Sequence, residues 1–365
     1  MKNSSPKIAI FYDWLNQWGG AEKVLLNLLK IYPKAPVFTL FHDPSKTNWL
    51  PPTTTVISSF IQKLPFHRSN PVFYTPIYPL ALEQFDFSQY DIVISTTSTV
   101  GHCLLTLPNT MFICHLHTPN RHLYQKPPSI LKPILKKYQK IDRIYSKRPD
   151  FYTTNCLTTQ ARIQKNYHRP STIIYPGINL DRFKPSSSNR LSDKYFLTVS
   201  RLVPYKKVEI AIKSCIKLNL ILKIVGTGRT ERYLKNKYSQ FKNIQFLGLI
   251  SDSTLIALYQ NCQALICPQK EDFGLTPLEV QACGRPVIAY RRGGITETVI
   301  DQKTGLFFNH QTTFSLIKTL NKFHHFKFDS DTCVQNASRF SENNFMLNFK
   351  NTVNNLWHQF QTTTF

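Results

Sequence analysis

Two glutamates, Glu271 and Glu279, are the residues whose types and spacing most directly suggest chemistry in this sequence. Between them, Phe273-Gly274-Leu275 precedes Thr276-Pro277, and proline favours the first position of a helix. The amides at a helix start attract negative charge, whereas a carboxylate accepts hydrogen bonds from hydroxyl groups. The segment therefore predicts a site for a ligand that carries both an anionic group and several hydroxyl groups.

The same segment also allows a purely structural interpretation of Glu279. We expect Thr276 to cap a helix whose first residue is Pro277, which places Glu279 in the first turn. Thr276-Pro277-Leu278-Glu279 then has the form of a capping box, which needs no ligand. Both roles are compatible, because a carboxylate has two oxygens. For Glu271, the alternative is a solvated acid in a loop.

Two cations, Arg201 and Lys206, follow a predicted strand in the run TVSRLVPYKK at 198–207. The segment places two positive charges at the end of a strand, where they are suited to an anionic ligand. Alone, an arginine and a lysine at this spacing are usually a solvated surface pair. Their occurrence in the same half of the chain as the glutamate segment favours the functional interpretation.

The first half of the chain contributes two weaker candidates. Gly19 and Gly20 lie between a predicted strand and its helix, where glycine allows close approach to the backbone; the alternative is a tight turn. His117 follows another predicted strand in the run ICHLHTPNR at 113–121. A single histidine at a strand end is more often structural than catalytic.

The elements that must position these residues alternate between β-rich runs and amphipathic helical patterns. This alternation predicts an α/β fold with parallel, doubly wound sheets that bind ligands at the carboxyl ends of their strands. Strands are predicted at 7–12, 36–40, 91–95, 111–115, 152–155, 172–175, 195–199, 220–225, 244–247, 264–267 and 286–290. Helices are predicted at 21–31, 156–167, 206–218, 230–238, 253–262, 277–283, 295–300 and 341–360.

Chain length favours two domains, because 365 residues exceed the size at which a single core keeps growing. The stretch PGINLDRFKPSSSNR at 176–190 is rich in turn residues and marks the boundary. We predict domains over 1–178 and 179–340, followed by a helix in 341–365 that packs back toward the first domain.

The combination of these segments resembles the retaining glycosyltransferases of family 4, which have the GT-B fold, with two Rossmann-like domains facing a central cleft. Glu271 and Glu279 match the E-x7-E motif of that family, and the run GRPVIA at 284–289 and the turn Gly293-Gly294 also fit. The resemblance covers nearly the whole chain. It is strongest over 198–306 and looser over 43–90.

The resemblance implies a role for each candidate in the second domain, which binds the nucleotide sugar. Glu271 would contact hydroxyl groups of the transferred sugar and Glu279 the nucleotide ribose, while Arg201 and Lys206 would hold the donor diphosphate. The donor-binding residues would also include those at the predicted helix start, namely Phe273, Gly274 and Leu275.

In the first domain, which binds the acceptor, the resemblance implies that Gly19 and Gly20 face the diphosphate and the acceptor. His117 would lie near the transferred sugar, since its segment resembles the His-Thr-Pro-x-Arg segment of a mannosyltransferase-like branch. That branch often continues with Tyr and Trp where this chain has His122-Leu123-Tyr124. This departure bears on recognition of the acceptor.

The resemblance implies transfer of a hexose, with retention, from a nucleoside diphosphate sugar to a glycan or lipid-linked acceptor in cell-surface polysaccharide or glycolipid synthesis. GDP-mannose is the first candidate for the donor. The implied mechanism is front-face attack, in which the leaving phosphate helps to deprotonate the acceptor. We expect neither a cofactor nor a metal ion, because Arg201 and Lys206 supply the charge that a cation would, and no Asp-x-Asp pair of the metal-holding kind is identified.

The charge of the chain leaves other functions open. An excess of 45 Lys and Arg over 21 Asp and Glu gives +24, which attracts nucleic acid, anionic lipid or phosphorylated small molecules. A nucleic-acid-binding protein is one alternative, but we find no RNA-binding sheet motif, so nucleic acid is not an expected partner. The others are an inactive sugar-binding relative and a sugar-nucleotide epimerase or phosphorylase of the same fold.

The expected location is the cytoplasm, or peripherally the inner face of a membrane. Eight scattered cysteines without a Cys-x-x-Cys pair indicate reduced core residues, and the apolar run at 8–12 is too short for a signal peptide. The run KPILKKYQKIDRIYSKR at 132–148, with Ile130 and Leu131 before it, mixes cations with apolar residues at helical spacing. Such a helix could rest on an anionic membrane or pack an apolar stripe on its own domain.

Overall fold

The computed structural model of the protein describes residues 6–65, 71–124, 132–186 and 194–364. They form two compact units: Met1–Tyr175 with Phe345–Phe365, and Pro176–Asn344. The units thus divide between residues 175 and 176, and the predicted boundary lies between 178 and 179. The final helix belongs to the first unit, although the chain reaches it only after the second.

The first unit is built on a seven-stranded, wholly parallel sheet with the order β3-β2-β1-β4-β5-β6-β7. Its central strands β4 and β5 are buried along their whole length and begin with apolar runs, as is typical of a parallel sheet covered on both faces. The strands are β1 Ile8–Tyr12, β2 Val37–Thr39, β3 Val56–Ser58, β4 Ile92–Thr97, β5 Met111–Leu116, β6 Phe151–Thr154 and β7 Thr172–Ile173.

The second unit has a six-stranded parallel sheet with the order β10-β9-β8-β11-β12-β13. This is the strand order of a classical dinucleotide-binding fold, with the order reversing between β8 and β11. The strands are β8 Tyr195–Val199, β9 Ile221–Val225, β10 Ile244–Gly248, β11 Ala264–Cys267, β12 Val287–Tyr290 and β13 Gly305–Phe308. Strands β3 and β13 were not among those predicted.

The described α-helices cover the faces of the two sheets. They are α1 Gly20–Ile31, α2 Tyr78–Glu83, α3 Arg121–Tyr124, α4 Lys132–Tyr145, α5 Leu157–Tyr167, α6 Val208–Lys217, α7 Glu231–Tyr238, α8 Asp252–Asn261, α9 Leu275–Ala282, α10 Ile295–Thr298, α11 Thr313–Phe323, α12 Ser330–Ser338 and α13 Glu342–Thr364. Short 3-10 helices span Pro44–Lys46, Phe60–Lys63, Pro71–Ile77, Gly101–Cys103 and Pro204–Lys206.

Each unit has its own hydrophobic core. In the first unit, α13 buries Phe345, Phe349 and Val353 against the sheet and α1, which explains why this last helix groups with the beginning of the chain. In the second unit, the core lies between the sheet and helices such as α6 and α11. All eight cysteines are buried free thiols. None of the described helices combines the length and the apolar character needed to cross a membrane.

Helix α4 has a buried face and an exposed face. Asp142 is buried, where its carboxylate accepts hydrogen bonds from His102 Nε2 at 2.9 Å and from Tyr124 Oη at 2.8 Å. Tyr138, Ile141 and Ile144 are exposed. The apolar residues of this helix therefore do not all pack on the domain. Ile130 and Leu131 lie outside the described residues.

Candidate active site

The donor-binding residues predicted in the second unit lie in two loops, each at the carboxyl end of a central strand, and in the helix α9 that follows one of them. Strands β8 and β11 are neighbours in the sheet, although β9 and β10 separate them in the chain. Because the chain leaves such neighbouring strands toward opposite sides, their loops diverge and form a crevice. Residues 200–207 follow β8, and residues 268–274 follow β11. This topology brings one of the predicted cations, Lys206, beside Glu271.

The predicted cation and the first predicted glutamate are in direct contact. Lys206 Nζ donates a hydrogen bond to Glu271 Oε1 at 2.7 Å, and both side chains are largely buried. Gln269 Nε2 donates to the same oxygen at 2.5 Å. Two donors on one carboxylate oxygen compensate its charge and fix its orientation. The arrangement places a phosphate-binding cation next to an acid that can accept hydrogen bonds from hydroxyl groups.

The other predicted cation, Arg201, is held differently. Its Nη2 atom donates a hydrogen bond to the hydroxyl of Tyr205 at 2.9 Å, and both residues are exposed. The guanidinium group thus lies at the surface of the loop after β8, where it retains most of its donors for a ligand.

The backbone of Glu271 is held by the glycine turn after β12. The amide of Gly294 donates to the carbonyl oxygen of Glu271 at 3.0 Å. Gly293 has φ +90°, and a Cβ atom at this position would lie 1.9 Å from the same carbonyl oxygen. No side chain fits there, so glycine is required for this close approach.

The helix after Glu271 begins earlier than predicted. Helix α9 starts at Leu275, and its N-cap is Gly274 in the left-handed region at φ +96°. The prediction that Thr276 caps the helix was therefore wrong, because the glycine conformation turns the chain into the helix before Thr276 is reached. The capping box does not form, and Glu279 lies in the second turn.

The start of α9 remains suited to an anionic ligand. Among the described residues, the amides of Gly274, Leu275 and Thr276 have no hydrogen-bond acceptor. Phe273 is buried and packs against Phe340, with ring centroids 5.8 Å apart, so its side chain anchors the loop. The loop thus presents backbone amides to a ligand rather than the phenyl ring.

Glu279 is a buried carboxylate, only 4% exposed. Its Oε2 atom accepts a hydrogen bond from Tyr259 Oη at 3.0 Å. Tyr259, on α8, is completely buried, and burial together with the negative charge of Glu279 raises its pKa far above the usual value. The hydrogen bond from Tyr259 satisfies an oxygen whose burial without a partner would be costly.

Two further glycines hold the loop that carries Arg201. Gly226 has φ +123°, and Gly228 has φ +155°. Cβ atoms at these positions would lie 2.1 Å from the carbonyl oxygen of Ser200 and 2.5 Å from that of Leu202, respectively. The loop after β9 therefore packs directly on the backbone of the loop after β8.

In the first unit, the predicted glycine pair lies at the start of α1. Gly19 is the N-cap in an extended conformation, and Gly20 is the first helical residue. Glu22 in the first turn is buried and accepts hydrogen bonds from Tyr12 Oη at 2.6 Å and Gln17 Nε2 at 3.1 Å. These bonds fix the shape of the loop between β1 and α1.

Asp13, at the end of β1, was not predicted as a site residue. Its carboxylate is buried and accepts hydrogen bonds from Thr97 Oγ1 at 2.5 Å and from the Ser98 amide at 2.7 Å. Burial raises its pKa above the usual value, against the effect of these donors. Because β1 and β4 are neighbours where the strand order reverses, Asp13 joins the two loops of that crevice. An acid directly after a buried strand is the signal that could have identified it.

His117 lies just after β5 and is buried. Its Nε2 atom shares a hydrogen bond with Thr96 Oγ1 at 2.9 Å, and its amide donates to Thr97 O at 2.9 Å. Burial lowers the pKa of the imidazole to about 4. His117 is therefore neutral at pH 7 and can contribute hydrogen bonds but no positive charge.

No group of three or more His, Cys, Asp or Glu side chains arranged to hold a metal ion occurs in the described residues. The sequence does contain one Asp-x-Asp run, Asp329-Ser330-Asp331. Asp329 there caps α12, because its side chain accepts a hydrogen bond from the amide of Thr332 at 2.8 Å.

Sequence reasoning missed Gln269, Tyr259, Asp13 and the glycines of the loop after β9. Gly226 directly follows strand β9 and Gly228 comes two residues later, and glycines at such a position are a signal of a close backbone contact. Tyr259 carries no such signal, since it lies 20 positions before Glu279 inside an ordinary helical pattern. Gln269 is a polar residue in a loop, and only the fold shows that it is buried.

Two family models match consecutive parts of the chain. The family described as "Glycosyltransferase Family 4" matches residues 18–182. The family described as "Glycosyl transferases group 1" matches residues 181–340. Together they cover residues 18–340, which include every residue that the sequence predicted to belong to the site.

Individual relatives are distant. An uncharacterised glycosyltransferase of Methanocaldococcus jannaschii is 30% identical over 148 residues, which are 40% of this chain and 41% of the relative. The chain therefore spans about two fifths of the length of that relative. The alpha-1,3/1,6-mannosyltransferase ALG2 of Mus musculus is 23% identical over 345 residues, which are 79% of this chain and 80% of the relative.

A solved structure shares the fold over nearly the whole chain. The structure of HepE from Anabaena, in complex with UDP and glucose, superposes with a TM-score of 0.74 at 19% sequence identity and covers 96% of this chain and 100% of that one. At this identity the likeness concerns the fold, which is GT-B. With the two consecutive family matches, it follows that the chain belongs to the family 4 type of glycosyltransferases.

Proposed function

We propose that this protein transfers a hexose, with retention of configuration, from a nucleoside diphosphate sugar to a glycan or lipid-linked acceptor. The observation that carries the proposal is the 2.7 Å contact between Lys206 and Glu271 where the strand order reverses. A nucleotide sugar has a diphosphate bonded directly to a ring that bears hydroxyl groups. A cation and an acid in contact suit that combination of groups.

Each side chain would act by positioning and charge. Lys206 and Arg201 would hold the diphosphate and stabilise its added charge as the sugar leaves, helped by the amides at the start of α9. Glu271 would accept hydrogen bonds from the sugar hydroxyls, and the family resemblance assigns neutral His117 to the transferred sugar as well. The departing phosphate would take the proton of the attacking acceptor hydroxyl, which gives front-face substitution.

Mannose is the sugar we propose, carried by GDP. Support comes from the mannosyltransferase ALG2, similar over 345 residues, and from the resemblance of the segment around His117 to a mannosyltransferase-like branch. HepE, which binds UDP and glucose, is similar at 19% identity. UDP-glucose is therefore the second donor to test. An acceptor in cell-surface polysaccharide or glycolipid synthesis is compatible with either of these two donors.

We further propose that the reaction needs no divalent cation. Arg201 and Lys206 provide two positive charges at the place where a metal ion would otherwise neutralise the diphosphate. The exposed guanidinium group of Arg201 adds several donors in fixed geometry. Activity should therefore persist in excess chelator.

The experiment is an assay of nucleoside diphosphate release from GDP-mannose, UDP-glucose and related donors, with and without a crude lipid and glycan extract as acceptor. We expect one donor to be consumed with the extract, at the same rate in EDTA, and the product to keep the anomeric configuration of the donor. Release from no donor contradicts the proposed activity. Activity that EDTA abolishes and magnesium or manganese restores contradicts the metal-independent mechanism.

A location at the inner face of a membrane is proposed from α4. Ile144, which is 57% exposed, lies on this helix with exposed Tyr138 and Ile141. Exposed lysines at 136, 137, 140 and 147 surround them. Apolar side chains mixed with cations on one helix are suited to the surface of an anionic membrane, where a lipid-linked acceptor would be held.

A further inference from the structure

The hydrogen bond between Tyr259 and Glu279 joins two helices of the second unit. Tyr259 Oη lies 3.0 Å from Glu279 Oε2, and the phenol is on α8 while the carboxylate is on α9. Both side chains are buried. The ring of Tyr259 also packs against Phe183, with centroids 6.0 Å apart, so its position is fixed by packing as well as by the bond.

A carboxylate needs such a hydrogen-bond partner if its own hydrogen bonds to a ligand are to have a fixed direction. The terminal torsion of glutamate is broad, so packing alone sets the plane of the carboxylate poorly. A donor fixed on a neighbouring helix selects one orientation and thereby directs the lone pairs of both oxygens. The phenol remains protonated over the whole physiological range, because burial and the charge of Glu279 raise its pKa. It therefore acts only as a donor toward Glu279.

We propose that Tyr259 is the positioning residue that orients Glu279 for the ribose hydroxyls of the donor nucleotide. This inference rests on the proposed function and on the ribose role of Glu279 that the family resemblance implies. It adds a specific cause for ribose recognition: Tyr259 does not touch the nucleotide, yet its hydroxyl group determines how well the ribose is bound.

The test compares nucleotides with and without ribose hydroxyls. Binding of GDP, UDP and their 2′,3′-dideoxy forms is measured by calorimetry for the wild-type protein and for Tyr259→Phe. In the wild type, one nucleoside diphosphate should bind more tightly than its dideoxy form. Tyr259→Phe should weaken binding of the full nucleotide by about tenfold, the loss expected for a bond of about 1.4 kcal/mol to a charged group. Binding of the dideoxy form should be unchanged.

A matched control is available in the same unit. Tyr238 is also buried and donates its hydroxyl hydrogen bond to a glutamate, Glu209. Tyr238→Phe should leave binding of both nucleotide forms unchanged. In turnover, Tyr259→Phe should raise the KM for the nucleotide sugar and leave kcat near the wild-type value, because the ribose is remote from the reacting carbon.

A double substitution separates positioning from general damage to the fold. If Tyr259 acts through Glu279, adding Tyr259→Phe to Glu279→Gln should weaken binding much less than it does in the wild type. Suppose that the wild type prefers the full nucleotide. The inference is then wrong if Tyr259→Phe binds both forms as the wild type does, or if it loses affinity for both forms equally. In either case the proposed function stands. If the wild type binds no nucleoside diphosphate, the proposed function itself fails, and the inference with it.

Discussion

Lys206 Nζ and Glu271 Oε1 lie 2.7 Å apart, although the two residues are 65 positions apart in the chain. Each follows a strand next to the point where the order of the second sheet reverses, and this topology brings them together. Both side chains are largely buried, so the cost of removing the two charges from water offsets much of their attraction. This weak contribution to folding is consistent with the ligand-binding role that we propose for the pair.

The first prediction concerns the charge of Glu271. Glu271→Gln keeps the shape of the side chain and an oxygen that can accept from Lys206, but it removes the negative charge. Turnover should fall by roughly two to three powers of ten, because a charge-assisted contact of a few kcal/mol in the transition state is lost. The melting temperature should barely change. Steady-state kinetics and thermal unfolding measure the two effects.

A surface pair of the same chemistry serves as the control. Glu231 and Lys235 form an ion pair on α7 in the same unit. Glu231→Gln should leave turnover at the wild-type value. Near-normal turnover of Glu271→Gln would contradict the assignment of Glu271 to the sugar hydroxyls, whatever the control variant does.

The second prediction concerns the glycine turn that holds the backbone of Glu271. In Gly293→Ala, the new Cβ atom would lie 1.9 Å from the Glu271 carbonyl oxygen, so the loop must shift. We expect a loss of stability of roughly 1–3 kcal/mol from backbone strain, and a loss of turnover of about tenfold or more from displacement of Glu271. Denaturant unfolding and turnover are measured on the same variant.

Gly248→Ala is the matched control, because Gly248 also has positive φ, at +68°, but no atom lies within 4 Å of the added Cβ. It should lose about 1 kcal/mol of stability and no activity. Equal activity losses in the two variants would mean that strain, rather than the position of Glu271, causes the effect.

Much of the fold could be predicted because the central strands are buried on both faces and therefore contain apolar runs. The predicted bounds of β8 and β11 match those observed. Strand β3 was missed, because Val56, Ile57 and Ser58 are only partly buried and do not form such a run. Strand β13 begins with a glycine, which is a poor indicator of a strand.

Only part of the candidate site could be predicted, because it depends on backbone conformations and on contacts between residues that are far apart in the sequence. The start of α9 depends on the left-handed conformation of Gly274, which sequence spacing does not reveal. The contacts of Gln269 and Tyr259 with the two glutamates depend on which loops and helices pack together. The same packing shows that Glu279, predicted to belong to a capping box, has a phenol as its partner.

The third prediction follows from the burial of His117, whose pKa is lowered to about 4. An unfolded histidine has a pKa near 6.5, so the unfolded chain binds the proton first as the pH falls. The contribution of neutral His117 to the free energy of unfolding is therefore fully present above pH 6.5 and is lost as the pH falls toward 4. Between pH 7 and pH 5 the loss should reach about 2 kcal/mol.

Replacing the histidine removes this dependence. His117→Gln should lose about 2 kcal/mol less than the wild type when the pH falls from 7 to 5, as measured by denaturant unfolding at each pH. His115, whose pKa burial also lowers, remains in the variant, so some dependence persists. His358→Gln, at an exposed position on α13, should behave like the wild type. An unchanged pH dependence in His117→Gln would show that this imidazole is already protonated or accessible in the folded protein.

The fourth prediction tests the membrane surface proposed for α4. Binding of the full chain to vesicles is compared between neutral lipid and lipid containing an anionic component, at low and high salt. We expect salt-sensitive binding to anionic vesicles only, because exposed cations act within a Debye length of the surface. Lys137→Gln with Lys140→Gln should weaken this binding by about thirtyfold, from about 1 kcal/mol for each cation near the membrane.

The apolar residues of α4 give an independent readout. Ile141→Ser with Ile144→Ser should weaken vesicle binding and leave its salt dependence intact, since these residues contribute burial rather than charge. Leu347, exposed on α13, provides the control, and Leu347→Ser should bind vesicles like the wild type. Neither pair should change nucleoside diphosphate release with a water-soluble acceptor. The docking of α4 on a membrane would be contradicted if the wild type partitioned equally onto neutral and anionic vesicles, or if both α4 variants partitioned like the wild type. Neither result would bear on the nucleotide site that we propose in the second unit.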